Sequence, residues 1–168
     1  MKKVIILRHA QADYAFSGGD FDMPLSSHGE NEATLIANYM LKKSYTPDFI
    51  YCSAAKRTQM TLAAIREDLS GIKTDIRKDF YLADTGFLYE ELKAADDNYD
   101  TVMIIAHNPG LHSFAAFLTG AGDARHIRSL QMGYPTACLS LLECPVDSFS
   151  EIMPAQNKLV DLMAAASL

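Results

Sequence analysis

Two short runs, Val4-Ile5-Ile6-Leu7 and Val102-Met103-Ile104-Ile105-Ala106, are apolar at every position. An unbroken run of this length is too short for a buried helix and reads as a strand covered on both faces. Such strands need helices on either side of a sheet, and the chain supplies them in alternation. Ser27 with Glu30 three residues on reads as a capping box, and Ala33, Ile36, Ala37, Met40 and Leu41 recur at helical spacing until Pro47. Asp48 to Cys52 is a second strand. Ser53 is placed to cap a helix with Leu62, Ile65 and Leu69 on its buried side, closed by Gly71. Thr74 to Arg77 forms a more polar strand, and Leu88, Leu92 and Ala95 mark the next helix. Beyond the strand at 102–106, Asn108 suits a cap and Pro109 the first position of a helix that buries Leu111, Phe114, Ala115 and Leu118 and stops at Gly120. A surface helix near Ala124 to Leu130, a strand over 137–142 opened by Pro135, and a terminal helix over Lys158 to Ala166 complete the expected order. The alternation predicts a three-layer α/β/α sandwich with a mostly parallel, mixed central sheet, built as one domain over 1–168.

Composition limits what such a domain can do. A formal charge of −6 speaks against a nucleic-acid surface, which needs a basic face to neutralise phosphates. Any anion must therefore be met by a local cationic pocket. Cys52, Cys138 and Cys144 show neither a paired framework nor metal spacing and lie in or beside apolar stretches, as reduced core thiols do. The apolar run after Lys2 and Lys3 is shorter than a signal-peptide core, and no segment approaches the roughly 18 apolar residues of a membrane span. These features lead us to expect a cytoplasmic protein with no membrane partner.

Three strand ends deliver groups of one chemical kind. Arg8 and His9 follow the first strand, Arg57 lies in the first turns of the helix after the second, and His107 follows the fourth. In parallel sheets ligands gather at the carboxyl ends of the strands, so these four side chains should converge at one rim. Guanidinium forks match phosphate oxygens, and an imidazole is both a nucleophile towards phosphorus and a donor to its oxygens. Helix N-termini near Ser53 and Asn108 add backbone N–H donors. A zinc site on His9 and His107 has no third ligand at a recognisable spacing. Asp20 and Asp22 read as loop and turn residues, with Asp22 fixing the loop beside the site as the lesser reading; His28 reads as a solvated first-turn residue, and His112 and His126 as surface or core-edge residues, with lining the mouth of the site as the lesser reading.

The residues are similar to those of the histidine phosphatase superfamily, whose fold is that of phosphoglycerate mutase. Leu7-Arg8-His9-Ala10 stands where its Arg-His-Gly motif stands, and further matches are Asp22-x-Pro24-Leu25-Ser26-x-x-Gly29, Cys52 to Thr61, and His107-Asn108-Pro109. The short length, Ala10 in place of glycine, and Ala106 to Pro109 make the chain resemble the small SixA-type protein-phosphohistidine phosphatases most. The resemblance implies a metal-independent, cofactor-free phosphatase in which His9 attacks phosphorus and becomes phosphohistidine. Arg8, Arg57 and His107 would hold the phosphoryl oxygens, with Asn108 and Ser53 beside them. A backbone carbonyl or similar acceptor should pin the other ring nitrogen of His9.

One departure concerns the general acid. Larger phosphomonoesterases of the superfamily carry a glutamate, or an aspartate near the second histidine, whereas Asn108 follows His107 here. Tyr81, Asp84, Glu90 and Glu91 lie in the region that would supply one, outside any motif. An alkoxide leaving group needs a proton far more than an imidazole leaving a phosphoramidate does, so the expected partner is a phosphohistidine protein. A phosphatase of small phosphate esters and a non-catalytic phospho-ligand module are the alternatives. Substrate identity and oligomeric state have no signal in the sequence.

Overall fold

Strand β1 (Lys2–Arg8) is the axis of the molecule. It pairs in parallel with β4 (Thr101–Ala106) on one side and antiparallel with β6 (Cys138–Cys144) on the other. The computed structural model describes residues 1–67 and 69–168. Among them β2 (Phe49–Ser53), β3 (Lys73–Arg77), β5 (Thr119–Gly122) and β7 (Asn157–Ala164) complete a sheet in the order β3-β2-β4-β1-β6-β7-β5. Only the pairings of β6 with its two neighbours are antiparallel, so the mixed, mostly parallel α/β sheet expected from the sequence is present.

Both faces of β1 are buried, which is why its apolar run is continuous. Val4 and Ile6 join a core with Phe80, Leu88, Leu92, Leu111 and Phe114, beneath α3 (Thr85–Lys93) and α4 (Gly110–Leu118). Ile5 and Leu7 join the opposite core with Ala33, Ile36, Met40, Leu62 and Ile65, beneath α1 (Ser27–Lys43) and α2 (Lys56–Arg66). Crossovers running β1 to β2 to β3 stay on one face, and the return to β4 uses the other, as right-handed connections require. All three thiols are buried and unpaired in these cores. No helix among the described residues is long and apolar enough to cross a membrane.

Several local expectations are corrected. Residues 157–164 form β7, not a terminal helix, because they pair antiparallel with β6 from Cys138↔Ala164 to Glu143↔Lys158. Ser26, not Ser27, caps α1, its hydroxyl accepting from Gly29 N at 3.0 Å. Helix α2 ends at Arg66 rather than at Gly71, which lies in a later turn at φ +92°. Ala55 occupies the cap position of α2, and Ser53 is instead the last residue of β2. Pro109, not Asn108, is the cap residue of α4, and the helix begins at Gly110. Helix α5 (Ala124–Met132) stands where a surface helix was expected.

Candidate active site

Register brings the site together. Arg8 is level with Ala106, so one residue further the chain places His9 beside His107, with ring centroids 5.1 Å apart. Cys52 is level with Ile105, which carries Ser53 next to the end of β4, and Ser53 Oγ lies 2.7 Å from His107 Nε2. Arg57, one residue into α2, is 5% exposed, and its Nε donates to His9 Nε2 at 3.3 Å. Arg8, His9, Arg57 and His107 thus share one rim, as the sequence reading expects.

Hydrogen bonding orients both rings. His9 Nδ1 lies 2.7 Å from the carbonyl of Ala10, which can only accept, so Nδ1 carries the proton and the Nε2 lone pair faces Arg57. Ala10 is itself fully buried, and its N–H donates to Thr61 Oγ1 at 3.0 Å. Ser53 Oγ accepts from Ala55 N at 3.3 Å and is hydrogen-bonded to His107 Nε2, which fixes the plane of that ring. His107 Nδ1 and Arg8 Nε are both buried and have no hydrogen-bond partner among the described residues. Burial first, then the nearby arginines, holds His9 neutral down to a pKa of about 4 despite its carbonyl partner. Burial, His9 and Arg57 hold His107 neutral down to about 3. Arg8 is also lowered from its ordinary value by burial, and it stays charged at any physiological pH.

Asp20, Tyr81 and Tyr134 complete the site, and the sequence assigned neither Asp20 nor Tyr134 a place in it. Asp20, expected to be a loop residue, accepts from Arg57 Nη2 at 3.1 Å, while its carbonyl accepts from Nη1 at 2.6 Å. The Tyr81 hydroxyl donates to the same carboxylate, and its ring stands edge-on to His107 with centroids 5.4 Å apart. These bonds, Tyr81 first, hold the Asp20 carboxyl below its ordinary range. Tyr134 follows α5 and fixes the opposite wall. Its carbonyl accepts from Arg8 Nη1 at 3.0 Å and Asn108 Nδ2 at 2.8 Å, and its hydroxyl donates to Ile6 O at 2.8 Å. Neither Asp20 nor Tyr134 stands in a recognisable motif, and only long-range packing brings them in.

The remaining candidates are placed elsewhere or act as supports. Asn108 Oδ1 accepts from His112 N at 3.2 Å, so Asn108 links α4 to the Arg8 wall. Asp84 caps α3 through Phe87 N, Glu91 pairs with Arg77 at 2.6 Å, and Glu90 is exposed. Asp22 is exposed in the loop. His112 Nε2 donates to Leu130 O at 2.7 Å, and His126 lies 3.8 Å from Asp161. Among the described residues no group of three or more His, Cys, Asp or Glu side chains is placed to hold a metal ion.

Arg8, His9 and His107 at the ends of parallel strands, with Arg57 from the start of α2, form a largely buried cluster of guanidinium and imidazole groups in an α/β domain. The chain belongs to the histidine phosphatase superfamily (branch 1), whose family model matches residues 4–90. The SixA protein from Agrobacterium tumefaciens is 30% identical and superposes with a TM-score of 0.81 over 97% of both chains. A protein histidine phosphatase SixA complexed with tungstate superposes at 0.78 over 98% of both chains with 18% identity, which shows the shared fold. An uncharacterized protein of Mycobacterium tuberculosis is 29% identical over 140 residues, covering 81% of this chain and 85% of its own.

Proposed function

We propose that the chain is a phosphohistidine phosphatase that works through a covalent phosphoryl-enzyme on His9. The observation that carries this reading is the orientation of His9, a neutral buried imidazole with its proton committed to Ala10 O and its Nε2 lone pair turned towards Arg57. Nε2 attacks phosphorus, the bond from phosphorus to the substrate nitrogen breaks, and the departing imidazole takes its proton from solvent. Water then attacks phospho-His9, releasing phosphate and restoring the neutral ring. Arg8, Arg57 and His107 hold the phosphoryl oxygens and offset the charge that builds on them in the transition state.

Phosphohistidine is favoured as substrate by the placement of the acids. Asp84, Glu90 and Glu91 are a helix cap, an exposed residue and an ion-pair partner, and the carboxylate beside the site, Asp20, is kept ionised by Tyr81 and Arg57. An ester oxygen leaves poorly without a proton donor, whereas an imidazole leaves a phosphoramidate readily. Likeness to SixA proteins supports the same choice. The test is steady-state phosphate release from a phosphohistidine peptide and from para-nitrophenyl phosphate, with wild type and His9→Ala and with chelator present. The expected result is a preference for the peptide that disappears in His9→Ala. Faster turnover of the ester, or lost activity on chelation, would contradict the reading.

A further inference from the structure

Arg8 and Asn108, at the edge of the site, also line a cleft of about 1350 Å³ between α5, β7 and the end of α1. A phosphoryl group needs none of this space. Its lining carries four cationic side chains, Arg8, Lys43, Arg125 and Arg128, and the one carboxylate among the described lining residues is Asp161. That carboxylate is already engaged. Asp161 is 6% exposed, its Oδ2 accepts from the hydroxyls of Tyr39 at 2.6 Å and Tyr45 at 2.8 Å, and His126 lies beside Oδ1. Arg125 and Arg128 stand three apart on one exposed face of α5, and neither is paired with a carboxylate among the described residues. A chain of net charge −6 therefore concentrates positive charge without carboxylate partners in one groove, whose wall at Arg8 and Asn108 it shares with the candidate site.

The floor of the groove suits an extended chain. Strand β5 pairs with β7 only from Asn157 to Leu159, so beyond that point the outer backbone edge of β7 has no strand beside it among the described residues. Val160 to Ala164 line the cleft along this free edge. We propose that the groove docks an acidic, extended segment of the phosphorylated protein, laying it along β7 with its carboxylates on Arg125 and Arg128 and its phosphohistidine at His9. The proposal rests on the phosphohistidine reading and adds to it the feature of the partner that is recognised.

The experiment uses two phosphohistidine peptides of equal length, one flanked by glutamates and one by lysines, with wild type and the double variant Arg125→Glu/Arg128→Glu. The acidic peptide should have the higher kcat/KM at low salt. The double variant should raise its KM by about tenfold, the size of roughly 1.4 kcal/mol, with kcat held. Turnover of para-nitrophenyl phosphate, too small to reach the groove, should be alike in both proteins. Binding of the unphosphorylated acidic peptide, followed by fluorescence anisotropy, should be weakened in the same variant. Equal use of the two peptides, or acidic-peptide binding that the variant leaves unchanged, would overturn the groove. Failure to hydrolyse either peptide while the unphosphorylated acidic one still binds through Arg125 and Arg128 would overturn the phosphohistidine reading and leave the groove standing.

Discussion

His9 works because it is buried, and burial is what keeps its lone pair available at acidic pH. An exposed histidine gains its proton near pH 6.5, whereas His9 should stay neutral to about pH 4. Observing the ring of His9 by NMR should therefore show no protonation between pH 7 and about 5. A midpoint near 6.5 would mean that the ring is solvated and that the two arginines do not act on it. Asp20 sets a second expectation. It is 55% exposed, so its pair with Arg57 contributes under about 1 kcal/mol to stability, but its charge faces any incoming phosphate. Asp20→Asn should bind inorganic phosphate several-fold more tightly in a calorimetric titration, with little change in Tm. Weaker binding would show that Asp20 mainly holds Arg57 in place. The four residues that meet at the rim were legible because each follows a readable strand or opens a readable helix. The roles of Asp20 and Tyr134 were not, since a loop residue's distant partner leaves no local pattern.

At the scale of elements, two glycines let backbones meet closely enough to hold the site. A side chain at Gly110 would overlap the carbonyl of Ala83, so the first turn of α4, after His107, lies directly on the turn that carries Tyr81. Gly29 meets the carbonyl of Gln11 in the same way and ties the loop after His9 to α1, where Glu32 accepts from Gln11 N at 2.8 Å. Gly110→Ala should destabilise the fold by about 1–3 kcal/mol in urea unfolding, as overpacking does, and should lower activity more than Gly86→Ala, where the added methyl meets nothing closer than 3.5 Å. Equal effects of the two would remove the close approach as a cause. Element boundaries were the poorly legible part. Lys158 to Ala166 holds apolar residues that fit a helix as well as a strand, and its alanines favour helix; pairing with β6, a long-range event, decides for strand. Similarly, Ser27 with Glu30 has the pattern of a capping box, yet the backbone places the neighbouring Ser26 at the cap.

For the molecule as a whole, two buried neutral histidines make folding sensitive to acid. Between pH 6.5 and about 4 the unfolded chain takes up protons that folded His9 and His107 refuse, so the unfolded state binds more protons and stability falls as pH drops through that window. Thermal unfolding should show Tm declining from pH 6.5 to about 4.5, with a shallower slope in His107→Asn; parallel slopes would assign the decline to other groups. The most direct test of the account is to quench the protein with acid-free denaturant during turnover of a radiolabelled phosphohistidine peptide, and to map the label. Acid-labile, alkali-stable label on His9, absent from His9→Ala and accumulating fast enough to account for turnover, is the predicted result. Steady turnover with no label on His9, or label that persists in His9→Ala, would contradict the covalent mechanism.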